Sequence, residues 1–527
     1  MIPIGETRDG RSDLTNFELD LFDTRYSGRD GMFANREERE ALKDQQKNSV
    51  NHWNCNRKQC SKKHIAKRWL RETILKPSCI PIVIVVLLIL LVVLYPAFYD
   101  QNHPNEWDIT GICPYDCKLQ LVESIPENMT YTGNYTQHMS TYDAWKTIIE
   151  GTEEKLDIAV FYWALRGQDV YSDPSDWQGE DIFKRLQSLG AHAPIRIAQS
   201  LPIDSNGTLE PKTLSKMSKI KIRTLNMTQL VGGGVLHTKL WVSDQKSFYV
   251  GSANQDWRSL TQVKELGIFS KNCPCLASEF LKVFEIYWLA GDCKKLPKKW
   301  PVKYNTKFNS ERPMKIVLDG VPSFVYITSS PRAFLPRNRE WDADGITSVI
   351  LAAKKFIHIA VMTYGPTSMY GKQPVFWPVI EDALKAAAIR RVKIKLLFSD
   401  WRHTKRSLVH FAHSLDEFSK ALEPRIKNAI KIRWFKVPVY SERQAKIPFA
   451  RVNHNKYMVT DNTAYVGTSN WEADYFLKTA GTALVVIQNG TKLTESEKSN
   501  SFVTRLNEVF IRDFYSNYSS NVIVRKQ

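Results

Sequence analysis

One stretch of the chain is apolar without interruption, and the region after it alternates between short apolar runs and helical patterns. Residues 79–99 (CIPIVIVVLLILLVVLYPAFY) carry no charged side chain and are about as long as a helix needs to cross ~30 Å of hydrocarbon. The later apolar runs are short, rich in β-branched residues and often separated by helical stretches, which is typical of an α/β architecture. The pattern therefore predicts one transmembrane helix at 79–99, followed by an α/β region.

The region after the apolar stretch repeats itself at a shift of roughly two hundred residues. Four pairs of segments match in the same order: Ile158–Trp163 with Ile359–Tyr364, Ile195–Ser200 with Val392–Ser399, Ile220–Arg223 with Ile430–Arg433, and VLHTKLWVSD…YVGSANQDW with VNHNKYMVTD…YVGTSNWEA. The period is too long for a solenoid, so the repeat indicates a duplicated domain. We expect two similar α-β-α sandwich halves related by pseudo-twofold symmetry, at 100–305 and 306–527, with their boundary in the Lys- and Pro-rich stretch Lys294–Pro313.

The flanks of residues 79–99 predict their orientation. Eight Lys and Arg residues lie between Arg57 and Lys76, whereas Asp100 and Glu106 follow the apolar stretch. The positive-inside bias leaves residues 1–78 as a cytosolic tail and sends the rest into the lumen. All six N-x-[ST] glycosylation triplets also lie after the apolar stretch, at Asn128, Asn134, Asn206, Asn226, Asn489 and Asn517. A single-pass type II membrane glycoprotein is the expected topology.

Five cysteines follow the apolar stretch, at Cys113, Cys117, Cys273, Cys275 and Cys293. The pairs C-x3-C and C-x-C are candidates for disulfides between the start of the luminal region and the end of its first half. A zinc site is the competing interpretation, but the ligand spacing does not suit it. The pairing stays open at this stage, and the odd count leaves Cys293 over.

The net charge of the chain indicates which kinds of binding partner suit it. The net charge is +18 and the pI about 9.3, with most of the excess in 100–527. A basic protein suits an anionic partner such as nucleic acid, a phosphorylated ligand or an acidic membrane surface, and charge alone does not choose among them.

The fourth repeated segment carries the chemistry. Each copy has the spacing H-x-K-x4-D, and each continues into a Gly-Ser/Thr-x-Asn turn. In an extended strand, residues two apart face the same side, so the His and Lys of one copy point at one ligand while the Asp points elsewhere. If the two halves pack face to face, the set supplies a nucleophile, a proton donor and cations for phosphoryl transfer. The residues are His237, Lys239, Asp244, Ser252 and Asn254 in the first copy, and His454, Lys456, Asp461, Thr468 and Asn470 in the second.

This doubled motif resembles the phospholipase D superfamily. PYDCKLQLVESIPE, GSANQDWRSLTQVKELG, NCPCLA and ARVNHNKYMVTD further resemble the single-span luminal phospholipase D family members three and four, from about Cys113 to the C-terminus. The resemblance implies the phospholipase D fold and a lysosomal 5′-exonuclease acting on single-stranded DNA and RNA. It also brings a second activity, the synthesis of a lysosomal phospholipid by transphosphatidylation.

The resemblance also implies roles for the residues. One histidine attacks phosphorus to form a phosphohistidine, and the other protonates the leaving oxygen and then activates water, with no metal or other cofactor. Of the two, His237 is assigned as the nucleophile and His454 as the acid/base. The phosphate oxygens are held by Lys239, Lys456, Asn254 and Asn470, with Ser252 and Thr468 in support.

Three carboxylates remain. Asp244 and Asp461 are expected to be structural, each paired with a basic neighbour. Glu265 lies where the superfamily often has a carboxylate behind the catalytic imidazole, and it is expected to orient a histidine. The second half has Gly481 and Thr482 at the matching place, so the two halves are not equivalent.

Three functions compete on this evidence. The first is a 5′-exonuclease on single-stranded nucleic acid, in which Trp163, Trp257, Trp401 and Trp471 are candidates for base stacking. The second is a phospholipid phosphodiesterase or phosphatidyltransferase, and the third is a non-enzymatic luminal scaffold. A narrow capped cleft favours a nucleic-acid chain end, and an open apolar groove favours acyl chains. The expected setting is a membrane-anchored protein, with a homodimer as a further expectation, that passes through the endoplasmic reticulum and Golgi to the endosome and lysosome.

Overall fold

The computed structural model describes residues 84–90, 110–133, 135–202, 206–368, 373–489 and 493–522. Residues 110–522 belong to one compact unit, and residues 84–90 belong to another. Residues 84–90 form a helical segment with exposed apolar side chains. The rest of the predicted span 79–99 and the whole tail 1–78 lie outside the described residues. Within the described residues, no helix combines the length and apolarity that crossing a membrane requires.

The described part of the first half contains eleven strands and six α-helices. The strands are β1 (Ile112–Cys117), β2 (Gln120–Ser124), β3 (Met139–Ser140), β4 (Leu156–Val160), β5 (Trp163–Ala164), β6 (Ile195–Ser200), β7 (Ile220–Leu225), β8 (Leu240–Ser243), β9 (Ser247–Gly251), β10 (Gln255–Asp256) and β11 (Glu265–Ser270). The helices are α1 (Thr141–Glu150), α2 (Trp177–His192), α3 (Leu209–Leu214), α4 (Met227–Val231), α5 (Trp257–Thr261) and α6 (Pro274–Ala290). Eight of these strands form one sheet in the order β3-β2-β11-β9-β8-β4-β6-β7.

The second half continues with β12 (Met314–Leu318), β13 (Val321–Ser330), β14 (Glu340–Trp341), β15 (Phe356–Val361), β16 (Tyr364–Gly365), β17 (Thr367–Ser368), β18 (Val375–Phe376), β19 (Lys393–Ser399), β20 (Ile430–Phe435), β21 (Lys456–Thr460), β22 (Thr463–Gly467), β23 (Trp471–Glu472), β24 (Gly481–Ile487) and β25 (Ser519–Ser520). Its described helices are α7 (Asp342–Ala352), α8 (Val379–Ile389), α9 (Arg406–Leu422), α10 (Glu442–Lys446), α11 (Ala473–Leu477), α12 (Glu495–Asn500) and α13 (Phe502–Tyr515). The main sheet runs β1-β12-β13-β24-β22-β21-β15-β19-β20-β25, and β14 pairs with β13.

The two sheets share one topology. The order β2-β11-β9-β8-β4-β6-β7 in the first half corresponds to β13-β24-β22-β21-β15-β19-β20 in the second, and in each the last three strands pair in parallel. The first parallel strand of each half, β4 or β15, is almost wholly buried and, apart from Asp157 and His358, apolar, which is typical of a strand covered on both faces. The prediction of an α/β fold is confirmed, and the four repeated segments occupy equivalent strands.

Strand β1 lies within the predicted first half, 100–305, but it does not join the sheet of that half. It pairs in parallel with β12, so it extends the sheet of the second half although it precedes the first half in the chain. A strand order of this kind has no signature in hydrophobic patterning, because β1 would bury the same face beside either sheet.

A shared core joins the halves. It contains residues of both sheets and of the long helices α6 and α13. Pro274 begins α6, where its missing N–H costs nothing, and the Ser501 side chain caps α13 by accepting from the backbone N–H of Thr504. Two further cores lie under the outer helices, one in each half.

Two disulfides lie beside this core, Cys113–Cys275 and Cys117–Cys273. They join β1 to the start of α6, as the cysteine pattern predicted, and because β1 pairs with β12 they tie the first half to the sheet of the second. Among the described cysteines, Cys293 has no disulfide partner.

The predicted glycosylation sites differ in exposure. Asn128, Asn489 and Asn517 are exposed, and Asn226 is half-buried at the N-cap of α4. Asn134 and the side chain of Asn206 lie outside the described residues. Glycosylation itself stays a prediction.

Candidate active site

The two H-x-K motifs lead into β8 and β21, at the interface of the halves. His237 donates its backbone N–H to Ala480 O at 2.9 Å, and His454 donates its own to Lys264 O at 2.8 Å. Each histidine is therefore held by the backbone of the opposite half, and the two contacts are reciprocal. The expectation that both residues lie within an extended strand needs a small correction, since His237 and Lys239 precede the strand and only Lys456 begins one.

The two imidazole rings have different partners. Nδ1 of His237 lies 2.8 Å from the backbone oxygen of Thr468. A carbonyl oxygen only accepts, so Nδ1 carries the proton and the lone pair of the neutral ring is on Nε2. Nδ1 of His454 instead lies 3.0 and 2.9 Å from the two carboxylate oxygens of Glu265. A carboxylate stabilises the charged imidazolium form.

The difference between the partners of the two histidines has a steric cause as well as an electrostatic consequence. Glu265 and Gly481 occupy equivalent positions at the starts of β11 and β24. A Cβ atom on Gly481 would come within 2.1 Å of Ser469 Oγ, so the second half has no room for a glutamate there. Both rings are buried, with His237 0% and His454 3% exposed.

The two lysines are arranged alike. Nζ of Lys239 donates to the backbone oxygen of His237 at 2.8 Å, and Nζ of Lys456 donates to that of His454 at 2.8 Å. Both lysines are buried, and Lys239 also lies 5.3 Å from the ring centroid of Phe161. Two buried ammonium groups beside two imidazoles form a cationic donor set, and such a set suits a phosphodiester.

The hydroxyls of the Gly-Ser/Thr-x-Asn turns bond to the neighbouring strand. Ser252 Oγ accepts from the N–H of Leu266 at 3.0 Å, and Thr468 Oγ1 accepts from the N–H of Thr482 at 3.1 Å. These bonds fix the turns that carry the two asparagines. Asn470 donates Nδ2 to the Tyr475 hydroxyl at 3.0 Å.

The two aspartates of the motifs lie away from the histidines. The Asp244 carboxylate accepts backbone N–H groups of residues 153–155 at 2.9, 2.9 and 2.7 Å. The Asp461 carboxylate accepts those of residues 354 and 355 at 2.9 and 3.0 Å. Three of these five partners, Lys155, Lys354 and Lys355, are basic residues as predicted, but the bonds come from their backbone N–H groups and not from their side-chain charges. Each aspartate ties the turn after its catalytic strand to the start of the parallel strand β4 or β15.

A narrow cavity of about 30 Å³ opens beside His454. Both halves line it: the first half contributes Tyr162, Asn254, Asp256, Ser259, Val263 and Glu265, and the second contributes Met362, Trp401, Phe449, Val452 and His454. His237 is enclosed by Phe161 and Tyr475, whose ring centroids lie 5.1 and 5.0 Å from its own. Sequence reasoning missed Phe161 and Tyr475, although the repeat marks both as places where the halves differ, since Met362 and Ser259 stand opposite them.

Of the four tryptophans proposed for base stacking, only Trp401 lines the cavity. Trp163, Trp257 and Trp471 are 2%, 0% and 1% exposed and belong to the interior. Their large apolar rings are simply core, so that part of the prediction is wrong.

A buried ion network lies behind Glu265. The neighbouring Lys264 places Nζ 2.8 Å from Asp513 and 3.4 Å from Glu123, and Arg512 donates to Glu123 at 2.6 and 2.9 Å. Burial opposes the charge on Glu123, but Arg512 and Lys264 outweigh it and hold the pKa of this carboxyl below its ordinary value. The network joins β2 and β11 to α13, and it holds in place the strand that carries Glu265.

Two histidines held in different ways across the interface of duplicated α/β halves, with two buried lysines, define a phosphoryl-transfer site of the two-histidine class. A family model described as "PLD3/4, PLD-like domain" matches residues 132–439. The chain is 38% identical to "Probable phospholipase D F09G2.8" of Caenorhabditis elegans over 99% of this chain and 89% of that protein. It is 44% identical to "5'-3' exonuclease PLD3" of Rattus norvegicus over 78% of this chain and 82% of that protein.

The chain therefore belongs to the PLD3/4 family of the phospholipase D superfamily. Among solved structures, phosphatidylserine synthase of Haemophilus influenzae Rd KW20 superposes with a TM-score of 0.47 and 11% identity, covering 72% of this chain and 84% of that one.

Proposed function

We propose that this protein is a phosphodiesterase that removes nucleotides from the 5′ end of single-stranded nucleic acid. The observation that carries the proposal is the unequal pair of histidines, one facing a backbone carbonyl and the other facing the Glu265 carboxylate. A double displacement needs one neutral nucleophile and one charged acid at the same pH, and these two environments favour that division. Relatives named as 5′-3′ exonucleases support the choice of substrate.

In the first step Nε2 of His237 attacks phosphorus, an N–P bond forms and the P–O5′ bond breaks. The imidazolium of His454 gives its Nε2 proton to the leaving O5′. In the second step His454 takes a proton from water, the water oxygen bonds to phosphorus and the N–P bond breaks. The shortened strand again ends in a 5′-hydroxyl, so it is a substrate for the next cycle.

Lys239, Lys456, Asn254 and Asn470 are assigned to the non-bridging oxygens of the phosphate. Rotating the Asn470 amide by 180° lets the Tyr475 hydroxyl donate to Oδ1 and turns Nδ2 toward the ligand. The positive charge of the lysines offsets the charge that collects on those oxygens in the transition state.

The surroundings of the catalytic cavity favour nucleic acid over lipid. The cavity beside His454 is small, at about 30 Å³, which suits a single phosphate at the reacting centre. The adjoining cleft carries the exposed cations Arg402 and Lys436, which suit a polyanionic strand better than acyl chains, whose binding needs a long apolar groove. We therefore propose the exonuclease, and phospholipid turnover is the outcome to test for if nucleic acid fails.

We further propose that residues 79–99 anchor the chain as a type II membrane protein, with the catalytic region luminal and bound for the endosome and lysosome. The two disulfides and the exposed sequons at Asn489 and Asn517 suit an oxidising, glycosylating compartment. Protease protection of intact microsomes, with a glycosidase-sensitive mobility shift, tests the topology. Sedimentation of the detergent-solubilised chain tests the proposed homodimer.

The decisive assay uses the full chain and a 3′-labelled oligonucleotide with a free 5′-hydroxyl, at about pH 5 with EDTA. Wild type is expected to shorten it stepwise from the 5′ end, and both His237→Ala and His454→Ala are expected to abolish this. His192→Ala, an exposed histidine of α2, is the matched control.

The roles are separated by trapping. With ³²P-labelled thymidine 3′-(4-nitrophenyl phosphate), whose leaving group needs no acid, His454→Ala is expected to accumulate label on the peptide that contains His237, because the base for the second step is missing. Label on the peptide that contains His454 in the His237→Ala protein would reverse the assignment. No cleavage by folded wild type would refute the nuclease proposal, and phosphatidylglycerol would be the next substrate to test.

A further inference from the structure

We propose that a second, larger cleft next to the catalytic cavity binds the nucleotides on the 3′ side of the scissile phosphate. We call it the Trp401 cleft; residues 400–404, which follow β19, and residues 436–451, which follow β20, line it. The inference rests on the proposed function, since it names the part of the substrate that this surface holds.

The Trp401 cleft adjoins the catalytic cavity. It measures about 530 Å³, against about 30 Å³ for the cavity, and Trp401 and Phe449 line both. The equivalent place in the first half, at the end of β6 beside Ser200 and Leu201, encloses about 10 Å³. Among the described residues, the larger space for further nucleotides therefore lies on the side of His454.

The side matters for the direction of the strand. His454 is the acid that protonates the leaving oxygen in the proposed mechanism, whereas His237 is enclosed by Phe161 and Tyr475. The leaving oxygen is the 5′-oxygen of the strand that remains after cleavage. That strand must therefore leave the active site past His454, which is where the Trp401 cleft opens.

Aromatic rings form one wall of the cleft. The rings of His403 and Phe449 are stacked, with centroids 4.6 Å apart and planes 14° apart, and Trp401 meets His403 edge-on at 4.9 Å. All three rings are half-buried, so each offers part of its surface to a ligand. Stacked aromatic rings beside a basic surface are the usual platform for the bases of a single strand.

The backbone holds Phe449 in place at some cost. Phe449 has φ 55° and Arg451 has φ 58°, values in the left-handed region that bulky side chains rarely adopt. The first half pins this loop, because Arg258 Nη1 donates to Pro448 O at 2.7 Å and Arg451 Nη1 donates to Gln262 Oε1 at 3.2 Å. A strained conformation that surrounding contacts maintain beside an active site is a recognised mark of a functional position.

The charge of the cleft suits a polyanion. Arg402 and Lys436 are exposed along its lining. Arg451 is buried and its guanidinium bonds to Pro438 O and Gln262, so it serves the loop rather than a ligand. One acidic residue, Asp400, also lines the cleft, and it is buried. Exposed cations beside the aromatic wall favour phosphates that follow the bases along a strand.

The test compares two substrates of the full chain: a thymidine hexanucleotide with a free 5′-hydroxyl, and thymidine 3′-(4-nitrophenyl phosphate), whose leaving group carries no further phosphate. The ratio of their kcat/KM values is the readout. We expect Arg402→Ala/Lys436→Ala to lower this ratio by about tenfold, and His403→Ala to lower it by a similar factor through lost stacking. Lys431→Ala, an exposed lysine at the opposite end of β20, is the control and should leave the ratio at its wild-type value.

Salt dependence gives a second readout that a local folding defect would not produce. Each phosphate contact contributes about 0.7 to the slope of log(kcat/KM) against log salt for a single strand. The double variant should therefore show a hexanucleotide slope that is shallower by about 1.4, with the slope for the nitrophenyl ester unchanged.

Two failures can be told apart. Wild-type ratios and slopes in both the double variant and His403→Ala would overturn the proposal for the Trp401 cleft and leave the exonuclease intact. A wild-type protein that hydrolyses neither substrate would overturn the proposed function itself.

Discussion

The contact between Glu265 and His454 is the feature of this site whose removal has the most readily calculated effect. The change is Glu265→Gln, which keeps the shape of the side chain and a hydrogen-bond acceptor for Nδ1 but removes the negative charge. Both residues are buried, at 0% and 3% exposure, and the carboxylate oxygens lie 2.9 and 3.0 Å from Nδ1. The substitution therefore isolates the electrostatic stabilisation of the imidazolium form.

The magnitude follows from Coulomb's law. Unit charges about 4 Å apart at an effective dielectric constant of about 20 interact by about 4 kcal/mol. The neutral hydrogen bond that glutamine retains returns about 1 kcal/mol. A net loss of about 3 kcal/mol lowers kcat by roughly 100-fold. KM should change little, because Glu265 supports the acid and does not hold the phosphate.

The assay is steady-state cleavage of the 5′-hydroxyl oligonucleotide from about pH 4 to pH 8. We expect the alkaline limb of the pH–rate profile to move to lower pH in Glu265→Gln, because the charged imidazolium has lost the carboxylate that stabilises it. The matched control is Glu210→Gln. Burial raises the pKa of Glu210 to about 8, so this carboxyl is neutral over all but the upper end of the assayed range, and its amide should behave like wild type there. A Glu265→Gln protein that keeps a third of wild-type kcat and the same alkaline limb would refute the reasoning.

Three predictions concern stability. Asp244→Ala removes an acceptor for three backbone N–H groups and should lower the free energy of unfolding in urea by about 2 kcal/mol. Asp461→Ala removes an acceptor for two such groups and should lower the free energy of unfolding by less. A larger loss in Asp461→Ala than in Asp244→Ala would contradict this account. The two disulfides span nearly equal sequence separations of 162 and 156 residues, so either one alone still closes almost the same loop. Removing one should lower the free energy of unfolding by about 1 kcal/mol, and removing both by about 4 kcal/mol. Equal, additive losses in thermal unfolding would show that the two disulfides do not constrain the same loop. Burial lowers the pKa of His358 to about 4, below the value of about 6.5 in the unfolded chain. On acidification the unfolded state therefore takes up the proton first. The free energy of unfolding should fall by up to about 3 kcal/mol between about pH 6.5 and pH 4. His358→Leu should flatten that part of the stability profile, and a profile as steep as that of wild type would rule out His358 as its source.

Much of the candidate active site can be predicted from the sequence because its motif is repeated. One H-x-K-x4-D motif has many explanations, but a second copy after a matching set of strands leaves few. The same repeat locates β4, β6 and β7 and their counterparts β15, β19 and β20, because each pair keeps a similar short run rich in β-branched and apolar residues. The cysteine pairs Cys113/Cys117 and Cys273/Cys275 likewise predict disulfides between the start of the luminal region and the end of its first half.

Contacts between the halves could not be predicted in this way. Glu265 was recognised as a carboxylate behind a histidine, but only the packing shows that its partner is His454 of the other half. The partner of His237 is a backbone oxygen, at Thr468, and every residue carries one, so no side-chain pattern marks it. The reciprocal N–H bonds of the histidines depend on Ala480 and Lys264 in the same way.

Local composition determined which segments form strands, which residues carry charge and which chemical groups are present, because those properties depend on neighbours in the chain. The tertiary structure decided what each group faces: β1 crosses to the second sheet, three of four tryptophans enter the core, and the loop around Phe449 opens a cleft beside His454. These outcomes depend on how two folded surfaces fit together, and hydrophobic burial, which drives that fit, is proportional to area and carries no direction of its own.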